Sequence, residues 1–235
     1  IDSRIDDCDC IYVTPSHQSP TTVTMPLENR YRLLRKAVQS DIILIEDDYE
    51  NEFNYQSNPL PALKSLDNND RVIYVGSLSK TISPGLRMGY LVGPTELIDE
   101  LRALRRLMLR HPAANNQHSM ALFLARGYHD SLVRLLLNTY RERSQIMSEA
   151  LHRYLPGSAR APGFGGSSFW VEGPPELDAR ELAQRAAKVG IIIEPGDIHF
   201  QSQNPPTRFF RLGFSAIETG QIEPGIKLLS ELIKQ

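Results

Sequence analysis

Arg71-Val72-Ile73-Tyr74-Val75-Gly76-Ser77-Leu78-Ser79-Lys80-Thr81-Ile82-Ser83-Pro84-Gly85-Leu86-Arg87-Met88-Gly89-Tyr90 is the stretch on which the fold turns. Val72 to Val75 is a run of β-formers and reads as a buried strand. It gives way to small polar residues, one lysine, and a Pro-Gly turn carrying an arginine. A lysine just past a buried strand is expected to be desolvated, which lowers an amine's pKa and makes it a nucleophile towards aldehydes. The hydroxyls of Ser77 and Ser79 and the guanidinium of Arg87 are suited to hold a phosphate beside it. A Schiff-base lysine next to a phosphate site points to pyridoxal 5'-phosphate. Most lysines after a strand are solvated loop residues, and for this segment taken alone that is the better reading.

Ser77 to Lys80 also fits the S-x-x-K signature of penicillin-binding proteins and β-lactamases, in which the serine opens a helix and a K-T-G strand follows. No K-T-G occurs in this chain, and its serine closes a strand. That alternative falls away.

Upstream, Asp41 to Ile45 is continuously apolar after its first residue, the pattern of a parallel strand covered on both faces, and it ends in Glu46-Asp47-Asp48-Tyr49. Residues 50–70 are polar and Pro-interrupted, without a convincing helix, and long enough for a crossover to a parallel neighbour. Parallel strands ending at Asp47 and Lys80 bring both residues to the carboxyl edge of one sheet, where open α/β sheets bind ligands. A carboxylate there can keep a pyridine nitrogen protonated, so that the ring accepts electrons from a carbanion. Tyr49 is placed to hydrogen-bond the cofactor's phenolic oxygen. The plain alternative for Asp47 and Asp48 is a pair of strand-end carboxylates that cap a turn.

Before this lie an acidic lead-in (residues 1–10), a short strand from Cys10 to Thr14, a turn-rich loop from Pro15 to Thr22, and a helix from Pro26 to about Ser40. That helix is expected to bury Leu27, Tyr31, Leu34 and Val38. Downstream, Leu86 to Val92 reads as a strand. Pro94-Thr95 opens an amphipathic helix with Leu97, Leu101, Leu104 and Met108 on one face and the solvated Arg102, Arg105, Arg106 and Arg110 on the other. Residues 113–154 are helical with a break at Gly127-Tyr128, and Pro156-Gly157 ends them. Their apolar stripe is Leu132, Leu135, Leu136, Tyr140, Ile146, Ala150 and Leu151. The last third alternates: strands at Ser167–Glu172, Ile191–Glu194 and Arg208–Phe214, and helices at Asp178–Val189 and Glu218–Ile233. This is the texture of a small α+β domain. The boundary is expected within the long helix, giving domains of residues 1–140 and 141–235.

The chain has 235 residues, 23% of them charged, and a net charge of −2, so no basic field draws it to nucleic acid. It shows no apolar run of membrane length and no signal peptide, which predicts a soluble cytoplasmic protein. Cys8 and Cys10 are too few for a disulfide framework or a zinc site. The start at an isoleucine, close to a strand, is read as a piece of a longer protein.

Taken together these segments resemble the second half of a fold-type I PLP-dependent aminotransferase, and more closely the aminotransferase-like domain of MocR-type regulators of the GntR family. The matching text is Tyr12-Val13-Thr14-Pro15-Ser16-His17-Gln18, Thr24-Met25-Pro26-Leu27, Ile45-Glu46-Asp47-Asp48-Tyr49-Glu50, Pro59-Leu60-Pro61-Ala62-Leu63, Ser79-Lys80-Thr81, Pro84 to Tyr90, and Arg211-Leu212-Gly213-Phe214-Ser215. The S-H-Q-x-P-T and E-D-D-Y-E segments are fairly specific to the regulators. The resemblance implies an α/β fold with a mostly parallel sheet and a small C-terminal α+β domain. It implies that Lys80 forms the Schiff base, Asp47 pairs with the pyridine nitrogen and Tyr49 contacts the ring hydroxyl. Ser77, Ser79 and Arg87 would hold the phosphate, and Arg211 would grip the carboxylate of an amino-acid ligand. A bidentate guanidinium suits that task; the competing reading is an arginine facing solvent or a partner subunit. His118 and His199 are read as structural or surface residues, and no metal is expected.

Aminotransferases read N-P-T-G where this chain has Ser19-Pro20-Thr21-Thr22, so the asparagine at the ring hydroxyl has no counterpart. The family's domain begins before residue 1, with the helix terminus that cradles the phosphate and the aromatic that stacks on the ring. The chain alone is therefore expected to bind the cofactor weakly or not at all and to expose an unpaired sheet edge and an apolar face. The implied function is a sensor of an amino acid or vitamin B6-type ligand, a homodimer in its full form, which reaches DNA only through an N-terminal winged helix absent from this chain. The alternatives are a true aminotransferase, moving an amino group between an amino acid and a 2-oxo acid with Lys80 as general base, and a cofactor-free interaction module.

Overall fold

The computed structural model describes residues 5, 7–55, 59–159 and 165–235. Parts of the expected lead-in and of the crossover (residues 1–4, 6 and 56–58) lie outside the described residues. The chain divides into two compact units. The first comprises residues 1–18, 24–52 and 58–136, and the second residues 19–23, 53–57 and 137–235.

Unit 1 holds a four-stranded sheet in the order β1 (Cys10–Val13), β2 (Ile43–Asp48), β3 (Val72–Ser77), β4 (Gly89–Val92). The pairs β1–β2 and β2–β3 are parallel and β3–β4 is antiparallel. The sheet is thus mostly parallel, as expected, and the crossover from β2 to β3 carries a single-turn helix, α2 (Leu63–Leu66).

Burial alternates strictly along β2 and β3, because successive side chains in a strand point to opposite faces. Leu44, Glu46 and Asp48 share the buried face with Val72, Tyr74 and Gly76, while Ile45, Asp47, Ile73, Val75 and Ser77 stay half-buried on the other. The expectation of a strand covered on both faces is corrected here. So is the strand's end: pairing runs on through Asp48, and Glu46 and Asp48 are buried inside it.

The buried face packs against α1 (Leu27–Gln39): Leu33, Leu34 and Ala37 meet Ile42, Leu44, Leu63 and Val72 in one cluster. The inward face of α1 differs from the expected one. Of Leu27, Tyr31, Leu34 and Val38 only Leu34 is buried; the inward face is Arg30, Leu33, Leu34 and Ala37. Arg30 accounts for the difference. Its guanidinium donates to the carbonyls of Met25 (3.1 Å), Pro61 (2.9 Å) and Pro15 (3.0 Å), which turns that side of the helix inward.

After β3 the expected strand from Leu86 is delayed. Pro84–Leu86 form a 3-10 turn capped by the Ser83 hydroxyl, and Arg87 takes a left-handed backbone (φ 51°), so pairing resumes only at Gly89. Helix α3 (Thr95–Leu109) buries no residue: Leu104, Leu107 and Met108 are exposed along with the four arginines, contrary to the expected buried face. Helix α4 (Ala114–Ala125) and helix α5 (Tyr128–Tyr154) are separated at Arg126-Gly127, one residue before the expected break. Leu135 of the expected stripe is exposed, and the buried positions of α5 are Tyr140, Ser144, Met147, Ala150 and Leu151.

Unit 2 is built on a sheet of order β5 (Ser168–Glu172), β7 (Phe209–Gly213), β6 (Glu194–Pro195), all antiparallel. It also contains α6 (Ala179–Ala187), capped by Asp178 onto the amides of Arg180 and Glu181, and α7 (Thr219–Ile233). One sheet face, Phe169, Val171, Phe210 and Leu212, is core together with Phe214, Leu182 and Ile222. The other carries Ser168, Trp170, Glu194, Phe209 and Arg211. The strand expected over Ile191–Glu194 shrinks to two residues, and Ile192 is exposed.

Candidate functional site

The carboxyl ends of β2 and β3 gather five of the sequence-chosen residues in unit 1. Asp47 lies on the half-buried sheet face and accepts a hydrogen bond from the Tyr12 hydroxyl. Tyr12 pairs with Ile45 in the parallel register, so the two-residue period puts it on Asp47's face. Partial burial, then the hydrogen bond and charge of Asp47, push its phenol up to about 12. Sequence reasoning passed over Tyr12, although the register of two adjacent parallel strands contained the signal.

Lys80 is held at the mouth. Its Nζ is 3.9 Å from Glu50 Oε1 and 5.9 Å from the centre of the Tyr49 ring. Its side chain keeps 46% of its exposure while that of Glu50 keeps 3%. The expectation of a desolvated lysine is corrected: the strand ends at Ser77, and three residues of turn carry Lys80 out to solvent. Ser79 N donates to Ser77 Oγ (3.2 Å), which leaves the Ser77 hydroxyl proton for a ligand. Arg87 is exposed, makes no ion pair among the described residues, and keeps its left-handed φ of 51°. Residues held in that region carry strain and tend to cluster at functional sites. The Leu86 carbonyl before it accepts from Asn116 Nδ2 (3.3 Å).

The E-D-D-Y-E-N-E segment is an alternating device. Glu46 accepts from the amides of Leu63 (2.7 Å) and Lys64 (2.8 Å) and so caps α2. Asp48 accepts from the Tyr74 hydroxyl (3.2 Å). Glu50 faces Lys80, and Glu52 takes the Thr81 hydroxyl and lies 3.0 Å from His129 Nε2. Every second residue from Glu46 to Glu52 is thus an acid that anchors the sheet, its crossover or the lysine loop. Glu50 and Glu52 were also missed as anchors; the two-residue spacing of acids running past the strand end was their signal.

His17 is buried beside this row, and neither ring nitrogen has a hydrogen-bond partner among the described residues. Burial lowers its pKa, against the opposing charges of Glu50 and Asp48 and together with that of Arg30. Burial raises the carboxyls of Glu46 and Asp48. The signs oppose one another. The unfolded chain protonates His17 more readily than the folded one, so its contribution is whole above about pH 6.5 and lost as pH falls below it. The two carboxyls take protons first in the folded chain and add stability on acidification. Comparison with His17→Gln isolates the histidine. Between pH 6.5 and 5, wild type is expected to lose stability relative to the variant by up to about 1.4 kcal/mol per pH unit. Urea unfolding at pH 7, 6 and 5 checks this; parallel pH profiles would show that His17 is not the proton-linked group.

Arg211 belongs to unit 2. Its Nε donates to Ser168 Oγ (3.0 Å) and its Nη1 to Glu194 Oε2 (2.9 Å), with the side chain 24% exposed. Ser19-Pro20-Thr21-Thr22 ends with Thr22 at φ 61°, where the aminotransferase motif has its glycine. Among the described residues no cluster of histidine, cysteine and acidic side chains could hold a metal, and none of the helices is long and apolar enough to cross a membrane.

A mostly parallel sheet with an amine, a phenol and a carboxylate at its carboxyl edge defines an α/β fold of the type I aminotransferases. Residues 3–229 match the aminotransferase class I and II family, and the chain belongs to it. The chain is 41% identical over 224 residues to the HTH-type transcriptional regulator TauR of Rhodobacter capsulatus, covering 95% of this chain and 46% of the relative. It is 30% identical over 220 residues to the probable rhizopine catabolism regulatory protein MocR of Rhizobium meliloti, covering 93% and 44%. Among solved structures it is similar to LysN, the α-aminoadipate aminotransferase of Thermus thermophilus complexed with N-(5'-phosphopyridoxyl)-L-leucine. That likeness has a TM-score of 0.86 and 31% identity over 95% of this chain and 58% of the other. The chain spans about half the length of the curated relatives it matches.

Proposed function

We propose that this chain is the aminotransferase-like sensing part of a MocR/GntR-type transcriptional regulator, which holds pyridoxal 5'-phosphate and reads an amino acid or B6-type ligand. Lys80 would hold the cofactor covalently, Asp47 its ring nitrogen and Tyr49 its ring hydroxyl. Ser77, Ser79 and Arg87 would hold its phosphate, and Arg211 the ligand's carboxylate. When bound, the cofactor supplies an aldehyde that captures amines and a ring that withdraws electrons. DNA would be bound by a helix-turn-helix outside this chain, in a cytoplasmic homodimer. Residues 1–140 would form the large domain and 141–235 the small one.

The observation that carries this reading is the exposed Lys80 amine beside Tyr49, in the turn that follows the strand paired with Asp47's strand, followed by an arginine with no ion pair among the described residues. The donor set fits the cofactor: one amine, one carboxylate, one phenol, two hydroxyls and a guanidinium. The regulator reading is supported by 41% identity to TauR against 31% to the aminoadipate aminotransferase.

The test is borohydride trapping after incubation with pyridoxal phosphate, followed by peptide mapping. The pyridoxyl label is expected on Lys80 in preference to the other lysines, and Lys80→Ala is expected to lose at least about 90% of the site-specific label, since this amine alone sits in the donor set. Even labelling of all exposed lysines would overturn the assignment.

A further inference from the structure

Arg211 already has an anionic partner. Glu194 stands directly opposite it in the register of β6 and β7, and the two are joined at 2.9 Å. We propose that Glu194 is an internal competitor at this site: it occupies the guanidinium in place of a ligand's acid group, and a small carboxylate binds by displacing it. This rests on the reading of Arg211 as the ligand's anchor.

Three features make the pair a releasable latch. Glu194 meets the guanidinium through Oε2 alone, whereas a carboxylate that engages an arginine fork with both oxygens makes two parallel charge-assisted bonds. Glu194 keeps 46% of its side-chain exposure, so returning it to water costs little, while Arg211 at 24% stays in place, with Nε fixed by Ser168 Oγ. The other oxygen of Glu194 lies 3.9 Å from His199 Nε2, which offers the carboxylate a second position close by.

Access is present as well. Arg211 and Glu194 stand on the sheet face opposite the core, beside Trp170, and both side chains reach solvent. Strand β6 is only two residues long, so few backbone bonds oppose a shift of Glu194. A ligand with one acid group fits these surroundings.

Trp170 pairs with Arg211 across β5 and β7, on the same sheet face, and is the single tryptophan of the chain. Its fluorescence therefore reports on this site without any cofactor. The experiment titrates the whole chain with propionate, reading Trp170 emission and calorimetric heat, for wild type, Glu194→Gln and Arg211→Gln.

Binding is expected to be about fivefold tighter in Glu194→Gln, the upper range for removing an exposed ion pair, and to vanish in Arg211→Gln. Equal affinity in wild type and Glu194→Gln, with loss in Arg211→Gln, would overturn the latch and leave Arg211 as an anchor. Binding that survives Arg211→Gln would overturn the anchor itself, as would absence of binding in all three. Trapping at Lys80 is read separately, so failure here and failure of the cofactor reading are distinguishable.

Discussion

Arg30→Met is expected to lower the unfolding free energy by about 3–5 kcal/mol, the range for removing one partner from a buried charged network. The side chain is fully buried and donates to three carbonyls, those of Pro15, Met25 and Pro61. Methionine fills much of the volume but takes the donor away from the Met25 and Pro61 carbonyls, while Pro15 O keeps the Met25 amide (2.8 Å). A buried polar group stripped of its partner costs about 1–3 kcal/mol. Arg30 also faces the charges of Glu46 and Asp48, and their carboxyls are already raised by burial. Without the guanidinium both become harder to ionise. Arg30→Lys keeps a charge but lacks the planar fork, and is expected to recover only part of the loss. Urea unfolding of the two variants checks this. A loss under about 1 kcal/mol for Arg30→Met would mean that water reaches the Met25 and Pro61 carbonyls.

The same arginine marks where the sequence stops being legible. The apolar stripe Leu27, Tyr31, Leu34 and Val38 predicts the helix, and α1 is there, but the stripe does not tell which side faces the sheet. That side is settled by carbonyls at Pro15 and Pro61, 15 and 31 residues away in sequence. Local periodicity contains no trace of them. For the same reason α3 reads correctly as a helix while its apolar face stays exposed: amphipathicity states what a face can bury, not what covers it.

The strands that carry the candidate site are more legible. A run of β-formers ending in small polar residues predicts β3, and a crossover length predicts its parallel pairing with β2. What escapes is charge inside a strand. Glu46 and Asp48 look like a strand end because buried acids are rare; each is tolerated here because a specific donor, the α2 amides or Tyr74, meets it. The expected burial of Lys80 fails because strand position was equated with burial, whereas the turn after Ser77 decides it.

Gly165→Ala is expected to destabilise unit 2 by about 2–6 kcal/mol, summing overpacking and backbone strain of about 1–3 kcal/mol each. Gly165 has φ 133°, and a Cβ there would stand 2.0 Å from the Phe53 carbonyl oxygen. That oxygen cannot give way cheaply. It accepts from Gly166 N (2.9 Å), Asn54 bridges to Gly165, and the Tyr55 hydroxyl donates to the Gly166 carbonyl (2.9 Å). Phe53 itself is buried against Tyr140 at 4.9 Å, and Tyr140 and Phe169 both meet Phe214. Displacing the backbone at Phe53 therefore loosens the aromatic core of the unit. Gly157→Ala separates the two causes, since Gly157 has φ 77° with nothing within 4 Å of its would-be Cβ. It is expected to cost only the backbone share, about 1–2 kcal/mol. Urea unfolding followed by Trp170 emission, which lies in the same unit, measures both. Equal losses in the two variants would show that the chain around Phe53 yields, and that conformation rather than contact requires the glycine at 165.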